Sequence, residues 1–213
     1  MPHLRVGGAR PSAGSGFTLI ESLLVIFILA LVATLGAPAL LQQLHKNRVV
    51  GYGRETSLLM QRSRYESIRQ HVTVIARLDL AQREIVAFAD VDGVNQGDPP
   101  DGSYNPVEGV VHRSTDYEVG RAILPGTMYF QAPAGHDVID GFTTVNGEQV
   151  AEFGVDGSVT DVGAFRFGDN RGNYLEVVIS PAATGRVRHR KYNEDLAKWL
   201  EDREEGVRWE WFN

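Results

Sequence analysis

One uncharged run near the start of the chain constrains its class more than any other feature. Residues 22–44 are 23 consecutive uncharged residues, most of them Leu, Ile, Val, Ala or Phe. The hydrocarbon core of a bilayer is about 30 Å thick and needs roughly 20 apolar residues at a rise of 1.5 Å. A buried core helix is the alternative, but such helices usually carry shorter apolar runs. The run therefore predicts one membrane-spanning helix.

The composition of the remaining chain fits one folded domain attached to this span. The chain has 213 residues, of which 43% are apolar and 23% are charged. Its formal charge of −6 argues against a protein that coats nucleic acid with its whole surface. The absence of cysteine excludes a disulfide framework, a zinc site of the cysteine type and a cysteine nucleophile.

The small residues lie on the unusual side of the apolar run. A secretory signal places its small-residue cleavage site after the apolar stretch. Here residues 1–16 are rich in Gly, Pro, Ser and Ala and end in Gly16, before the stretch. Basic residues on the two sides leave the orientation of the span undecided by the positive-inside rule: Arg5 and Arg10 before it, and Lys46, Arg48 and Arg54 after it.

Glu21 is the only charged residue among positions 17–44. A charge near the start of an apolar helix is costly, and an ionisable residue in a membrane is by default a functional hypothesis. If the chain is cut after Gly16, the new amino group of Phe17 on a neighbouring subunit is a partner that offsets the desolvation of both charges. The alternative is a carboxylate that reaches the lipid headgroups. On physical grounds alone, both interpretations stay open.

The segment Gly16-Phe17-Thr18-Leu19-Ile20-Glu21 resembles the prepilin cleavage motif of type IV pilins and type II secretion pseudopilins. The resemblance implies cleavage after Gly16 by a prepilin peptidase, N-methylation of Phe17, and docking of the next subunit through Glu21. Pro38 matches the proline that is common in the pilin stalk helix. The resemblance also implies an inner-membrane protein with its leader in the cytoplasm and its C-terminal domain in the periplasm.

Beyond the span, the pattern predicts a continued stalk helix and then short strands. Leu58, Tyr65, Ile68 and Val72 follow a helical repeat and predict an apolar face. Gly51-x-Gly53 begins like a dinucleotide fingerprint but lacks the third glycine, so a flexible stalk is favoured. Seven segments are strand-like, with turn residues between them: 72–76, 85–88, 127–131, 149–153, 158–160, 164–167 and 174–180. The predicted fold is α+β: a long N-terminal hydrophobic stalk helix packed on a mostly antiparallel sheet or sandwich.

Two stretches of the predicted sheet narrow the resemblance. Residues 86–93 with Gly97-Asp98 resemble the "F-x-D-x-dG" strand and loop of the GspH/FimT pilin-like domain, although the usual tryptophan near the strand start is missing. Residues 152–157, Ile179-Ser180 and 184–188 resemble its closing signature. The implied organisation is a prepilin leader at 1–16, a transmembrane and stalk helix at 17–71, a periplasmic domain at 72–192 and a C-terminal extension at 193–213.

The extension at 193–213 goes beyond this pattern. Asn193 is predicted to cap a short helix whose apolar face is Leu196, Trp199 and Leu200. The tryptophan-rich end is favoured to cover the domain's own sheet, with a neighbouring subunit as the alternative.

The sequence contains no catalytic constellation, and no enzymatic activity, cofactor or metal is expected. The acidic loop at 90–98 resembles a calcium loop, but its glycine is misplaced and a surface loop is favoured. Arg186, Arg188 and Arg190 form a basic cluster for which a solvated or ion-paired face is favoured over an anion or DNA contact. If this segment is a strand, its period of two places the three arginines on one face and His189 on the other.

The expected function is that of a minor pseudopilin of a type II secretion system. It would assemble with other pilin or pseudopilin subunits into the periplasmic pseudopilus, near its tip. The alternative is a minor type IV pilin of a competence machine that binds DNA through the basic segment 185–188. Sequence does not separate these machines, because both use the same anchor chemistry.

Overall fold

The computed structural model describes residues 18–91, 116–145 and 147–201. Gly16 and Phe17, the leader, most of the acidic loop at 90–98 and the tail from residue 202 lie outside the described residues. Internal contacts divide the chain into two compact units, with the division between Gln42 and Gln43.

A single helix, α1 (Leu19–Gln70), contains 52 residues. The predicted long helix is confirmed over its described part. In the first unit, the segment Leu19–Ala37 has a mean hydropathy of 2.5, and none of it is buried. It is long and apolar enough to cross a membrane.

Short strands follow α1, and every strand pair among the described residues is antiparallel. The first sheet has the order β3-β2-β1-β7-β6, and the second has the order β11-β10-β9-β8-β4, with β5 also paired to β8. The strands are β1 (Thr73–Asp79), β2 (Glu84–Asp90), β3 (Tyr117–Ile123), β4 (Met128–Tyr129), β5 (Ile139–Asp140), β6 (Thr143–Val145), β7 (Glu148–Phe153), β8 (Gly163–Asp169), β9 (Tyr174–Ile179), β10 (Val187–Asn193) and β11 (Lys198–Leu200). The predicted α+β class is confirmed.

Six of the seven predicted strand segments overlap an observed strand. The seventh, at 158–160, contributes only the bridge of Val159 to Phe153. Strands β3, β5, β6, β10 and β11 had no counterpart in the predicted series, in which the segment of β10 was a strand only by condition. They are short, polar or edge elements, and only their pairing partners identify them as strands.

One hydrophobic core joins the second half of α1 to both sheets. Tyr52 and Met60 of α1 are buried in this core together with Ala87 of the first sheet and Phe167 and Val177 of the second. The ring centres of Tyr52 and Phe167 lie 4.8 Å apart in an edge-to-face contact. The Tyr52 hydroxyl donates a hydrogen bond to the Ala122 carbonyl, so its polar end is satisfied inside the core.

The predicted apolar face of α1 is for the most part its exposed face. Leu58 and Tyr65 are 64% and 65% exposed, whereas Ser63 and Ser67 are fully buried. The buried serine hydroxyls donate to helix carbonyls, at 2.9 Å for Ser63 to Leu59 and 2.8 Å for Ser67 to Arg64. The two serines share the buried side with Tyr52 and Met60, and their hydroxyls need no partner outside the helix.

The predicted C-terminal helix at 193–200 is wrong. Asn193 ends β10, residues 194–197 form a turn, and β11 pairs back on β10. The Asn193 side chain does accept a hydrogen bond from the Leu196 N–H, but within this hairpin turn. A capping residue satisfies a free N–H in a turn as well as in a helix, so the sequence signal was ambiguous.

The two glycines of the stalk provide a matched test of this packing. A Cβ on Gly53 would overlap Leu175 Cδ2, while a Cβ on Gly51 would meet nothing within 4 Å. We expect Gly53→Ala to destabilise the folded domain by about 1–3 kcal/mol through overpacking. Gly51→Ala should instead stabilise it by up to about 1 kcal/mol through helix propensity. Thermal unfolding of the full chain in detergent micelles measures both, and equal effects of the two variants would contradict the close packing.

Candidate assembly helix and basic strand

The first turn of α1 uses Glu21 in a hydrogen-bonded cap. The Glu21 N–H donates to the Thr18 hydroxyl at 3.3 Å, and Glu21 Oε2 accepts from the Thr18 N–H at 3.4 Å. Reciprocal bonds between a threonine and a glutamate three positions later form a capping box. Sequence reasoning assigned Glu21 no structural use, although the T-x-x-E spacing was the signal for one. Glu21 therefore has a cap to make within its own chain, beside any role between subunits.

Apolar side chains cover all sides of the first unit's helix. The large apolar side chains between Leu19 and Leu35 are all at least 45% exposed, and Glu21 is exposed among them. A helix that is apolar all round is stable only inside protein or in lipid. This segment thus needs a partner environment, which is either the bilayer or other helices.

In the second unit, the face of α1 turned away from the sheets carries an outer row at intervals of seven residues. Leu44, Gly51, Leu58 and Tyr65 form this row, and all four are exposed. Residues seven apart lie about 20° apart around a helix, so the row is a narrow seam. The seam lies between Arg54 and Arg62. Both arginines are exposed, so the seam is accessible and has positive charge on its borders.

The basic strand β10 alternates as the sequence predicted. His189 faces α1, where its Nε2 lies 2.7 Å from Ser57 Oγ and 3.0 Å from the Gly53 carbonyl. Because a carbonyl oxygen only accepts, Nε2 carries the proton. Ser57 is 2% exposed, so this serine–histidine pair has no access to a substrate and joins the helix to the sheet.

The opposite side of β10 holds its arginines in ion pairs. Arg188 Nη1 donates to Glu201 at 2.7 Å, and its Nη2 donates to Ser180 at 3.2 Å. Arg190 Nε lies 2.7 Å from a carboxylate oxygen of Glu176, without hydrogen-bond geometry. The structure thus pairs two of the three predicted anion contacts within the chain, and whether they also meet an anion or DNA stays a prediction.

Glu176 is the centre of a buried charge network that the sequence did not signal. Its side chain is fully buried, and its second oxygen accepts from Arg166 Nε at 2.9 Å. Arg166 also donates to Asp140 at 2.9 Å and lies 5.4 Å from the ring of Trp199. Burial raises the pKa of Glu176, while Arg166 and Arg190 oppose that rise. Removing one member of such a network leaves an uncompensated charge.

Arg186, the third predicted contact, is exposed at a surface cleft. The cleft has a volume of about 800 Å³, and Arg64 of α1 lies on its other side. Arg64 Nε donates to the Gly157 carbonyl at 3.1 Å, which fixes the position of this side chain. The cleft is therefore a basic recess between α1 and the turn that leads into β10. Its remaining lining residues are Gln61, Pro181, Thr184, Gly185 and Val187.

The expected absence of a metal site remains a prediction. No group of three or more His, Cys, Asp or Glu residues within 18–91, 116–145 and 147–201 is placed to hold a metal ion. Asp90 ends β2 and is buried, and the acidic loop beyond residue 91 lies outside that part of the chain.

The comparisons with known proteins give one structural likeness. No protein-family model and no curated protein match the chain. Among solved structures, it is similar to the minor pseudopilin EpsH from the Type 2 Secretion System of Vibrio cholerae. The identity is 11%, the match covers 69% of this chain and 99% of that one, and the TM-score is 0.44. A likeness at this level does not assign a family, so the function is argued from the residues.

The buried histidine predicts a pH dependence of stability. Burial lowers the pKa of His189, and the positive charge of Arg54 acts in the same direction. The unfolded chain therefore binds the proton more readily than the folded one. The stabilisation is complete above the unfolded value, about 6.5, and is lost as the pH falls towards the lowered folded value.

We expect the midpoint of thermal unfolding to fall more between pH 7.5 and pH 5.5 in the wild type than in His189→Gln. His71→Gln, at an exposed position, controls for the loss of a histidine as such. Parallel pH profiles of the wild type and His189→Gln would contradict the prediction.

Proposed function

We propose that the chain is a non-enzymatic, membrane-anchored filament subunit, a minor pseudopilin that assembles into the pseudopilus of a type II secretion system. The observation that carries this proposal is the division of one helix between two environments. The first part of α1 is exposed and apolar on all sides, while the second part packs one face on the sheet domain. A helix of this kind anchors a domain in a bilayer and offers the same surface to neighbouring helices.

The outer row of α1 supports assembly through the helix beyond the membrane. Leu58 and Tyr65 have no structural role within the sheet core, and they continue the exposed surface past Leu44. The row supplies one of the two apolar positions of the 3.5-residue repeat through which helices pack side by side. In this proposal other pilin-like subunits cover the row, and the domain points into the periplasm.

The prepilin-like N-terminus supports the same proposal. Cleavage after Gly16 would leave the amino group of Phe17 one turn from Glu21, and the carboxylate of one subunit would pair with the amine of the next. Charge pairing in the low dielectric of a membrane is strong when both groups are desolvated together. The position near the filament tip and the secretion system as the parent machine rest on the GspH/FimT resemblance alone.

DNA uptake stays the alternative hypothesis. The cleft with Arg64 and Arg186 favours it, because two guanidinium groups at one recess can meet neighbouring phosphates. The ion pairs of Arg188 with Glu201 and of Arg190 with Glu176 oppose it, since paired arginines release fewer counterions on binding. Secretion is therefore the preferred assignment.

The role of Glu21 can be separated from its helix cap by two variants. Glu21→Gln keeps a capping side chain but removes the charge, whereas Thr18→Ala removes the cap and keeps the charge. If Glu21 pairs with an amine, we expect Glu21→Gln to abolish copurification with the other filament subunits and Thr18→Ala to leave it near the wild-type level. Membrane insertion, measured by carbonate extraction, should be unchanged in both. The reverse pattern would reduce Glu21 to a helix cap.

The processing step gives an independent test. We expect cleavage between Gly16 and Phe17 to leave a mature chain of 213 − 16 = 197 residues with a methylated amino terminus. Intact-mass analysis of membrane extracts measures the mature length and the added methyl group. Gly16→Lys should retain the leader, since a long charged side chain replaces the small residue at the cut. An unprocessed wild-type chain in a host with active prepilin peptidase would refute this part of the proposal.

A further inference from the structure

Contacts between α1 and the loops of the first sheet identify which end of the second unit lies nearest the apolar span along the chain. Arg48 Nη1 donates to Thr127 Oγ1 at 3.4 Å, and Arg83 Nη2 donates to the Met128 carbonyl at 2.6 Å. The loop after β3 and the turn between β1 and β2 therefore lie beside the helix turn at Arg48. The uncharged run ends at Leu44, four residues earlier, which is about 6 Å along a helix.

This end of the domain exposes apolar side chains next to basic ones. We call it the basal rim and define it by Lys46, Arg48, Leu80, Arg83, Ile123 and Tyr129. Leu80 is 67% exposed, Ile123 57% and Tyr129 48%. They lie close together, because Ile123 pairs with Glu84 at the end of β2, and Arg83 lies 5.8 Å from the ring centre of Tyr129. A surface that combines exposed aliphatic and tyrosine side chains with cations is unusual for a protein domain that is surrounded by water.

Cations outnumber the uncompensated acids at the basal rim. Its three cations are Lys46, Arg48 and Arg83. The neighbouring Glu84 is 8% exposed and shares Arg121 with Glu118, and Glu148 pairs with Arg77 at 3.6 Å. Asp79 accepts the backbone N–H of Gln82 at 2.9 Å and forms no ion pair within the part of the chain that the structure describes. The basal rim is therefore net positive.

We propose that the basal rim docks on the surface of the bilayer that anchors α1, with anionic lipid headgroups as its partner. This inference rests on the proposed membrane anchoring. Leu80, Ile123 and Tyr129 enter the interfacial layer, where aliphatic side chains meet the acyl boundary and tyrosine lies at headgroup level. The three cations meet lipid phosphates, and each basic residue near an anionic surface favours the docked state by roughly fivefold.

The position of the basal rim in the chain favours a lipid surface over another protein as its occupant. The headgroup region begins where the apolar run ends, so the residues just after Leu44 reach it by connectivity alone. Net positive charge complements anionic headgroups, and salt should weaken the contact as it screens the charges. Docking would hold the domain against the membrane until the subunit enters a filament.

The absence of cysteine in the natural chain permits a direct test with single labels. The full chain carries an environment-sensitive NBD dye at Leu80→Cys, Ile123→Cys, Val155→Cys or Leu29→Cys. Each variant is reconstituted in vesicles of phosphatidylcholine, with or without phosphatidylglycerol, that contain lipid-borne doxyl quenchers. Val155 is the matched control, because it is 49% exposed in the turn after β7, where Gly157 lies against Ile68 at the other end of the domain's helix. Leu29 lies within the span and reports anchoring itself.

We expect quenching at positions 80 and 123 in vesicles with phosphatidylglycerol, and little quenching at position 155. Quenching at position 80 should fall several-fold without the anionic lipid, at high salt, or in the Lys46→Gln/Arg48→Gln variant. Arg62→Gln, which changes an exposed arginine further along α1, should have no effect.

The label at position 29 separates the anchoring of α1 in the bilayer from the docking of the basal rim. If it is quenched while positions 80 and 123 behave like position 155, the docking proposal is overturned and anchoring stands. If position 29 is not quenched, the anchoring fails and the docking proposal fails with it. A blue shift at positions 80 and 123 without lipid quenching would show that protein, either the same chain or a second copy, covers the basal rim, and it would also overturn the proposal.

Discussion

The close contact of α1 with the second sheet is the interaction on which the other features depend. Gly53 lies against Leu175, and its carbonyl accepts from His189 of β10. Gly53, Ser57, Ser63 and Ser67 lie on this side of the helix together with the buried Tyr52 and Met60, and the glycine lets Leu175 come close to the backbone. Leu58 and Tyr65 lie on the opposite side and are exposed. The packing that fixes the domain thus also creates the outer row that we assign to assembly.

The same contact divides the polar groups of β10 between two tasks. On the side of the strand that faces α1, His189 lies within hydrogen-bond distance of Ser57. On the opposite side, Arg188 and Arg190 pair with acidic residues. Glu176 links Arg190 to Arg166, so the basic strand is tied to a network that includes β8. An arginine that is held by a buried carboxylate orders the sheet, and it is a weaker ligand for a phosphate than an unpaired arginine. The geometry of β10 therefore affects the proposed contact with DNA as well as the stability of the domain.

The class of the chain could be predicted from sequence, and so could most of the sheet. A long uncharged run has few physical solutions, and alternation with turn residues marked the central strands, such as β2 and β9. The orientation of α1 was predicted wrongly, because the helix carries two competing apolar stripes. Val49, Tyr52, Leu59 and Met60 are the buried ones, and Leu58 and Tyr65 are exposed. The hairpin after Asn193 was missed because its side chain satisfies a free N–H equally well in a helix cap and in a turn.

The candidate site was predictable to a lesser degree. The alternation of β10 followed from a period of two, but the partners Glu176 and Glu201 lie 14 and 13 residues from Arg190 and Arg188 and carry no signal of pairing. The cap formed by Thr18 and Glu21 follows from their spacing, but the prepilin-like motif implies another use for the same carboxylate. Arg64 enters the cleft beside Arg186 only through the folding of the helix onto the turn after β9.

Site-specific photo-crosslinking along α1 in cells with the complete filament machinery tests the central claim most directly. A photoreactive residue would replace Leu31 in the span, Leu58 in the outer row, or Val162, which is exposed on the sheet domain and serves as the control. The account predicts adducts with other filament subunits at positions 31 and 58, with none at 162. Adducts at position 162 alone, or no adducts at either helix position, would contradict assembly through α1.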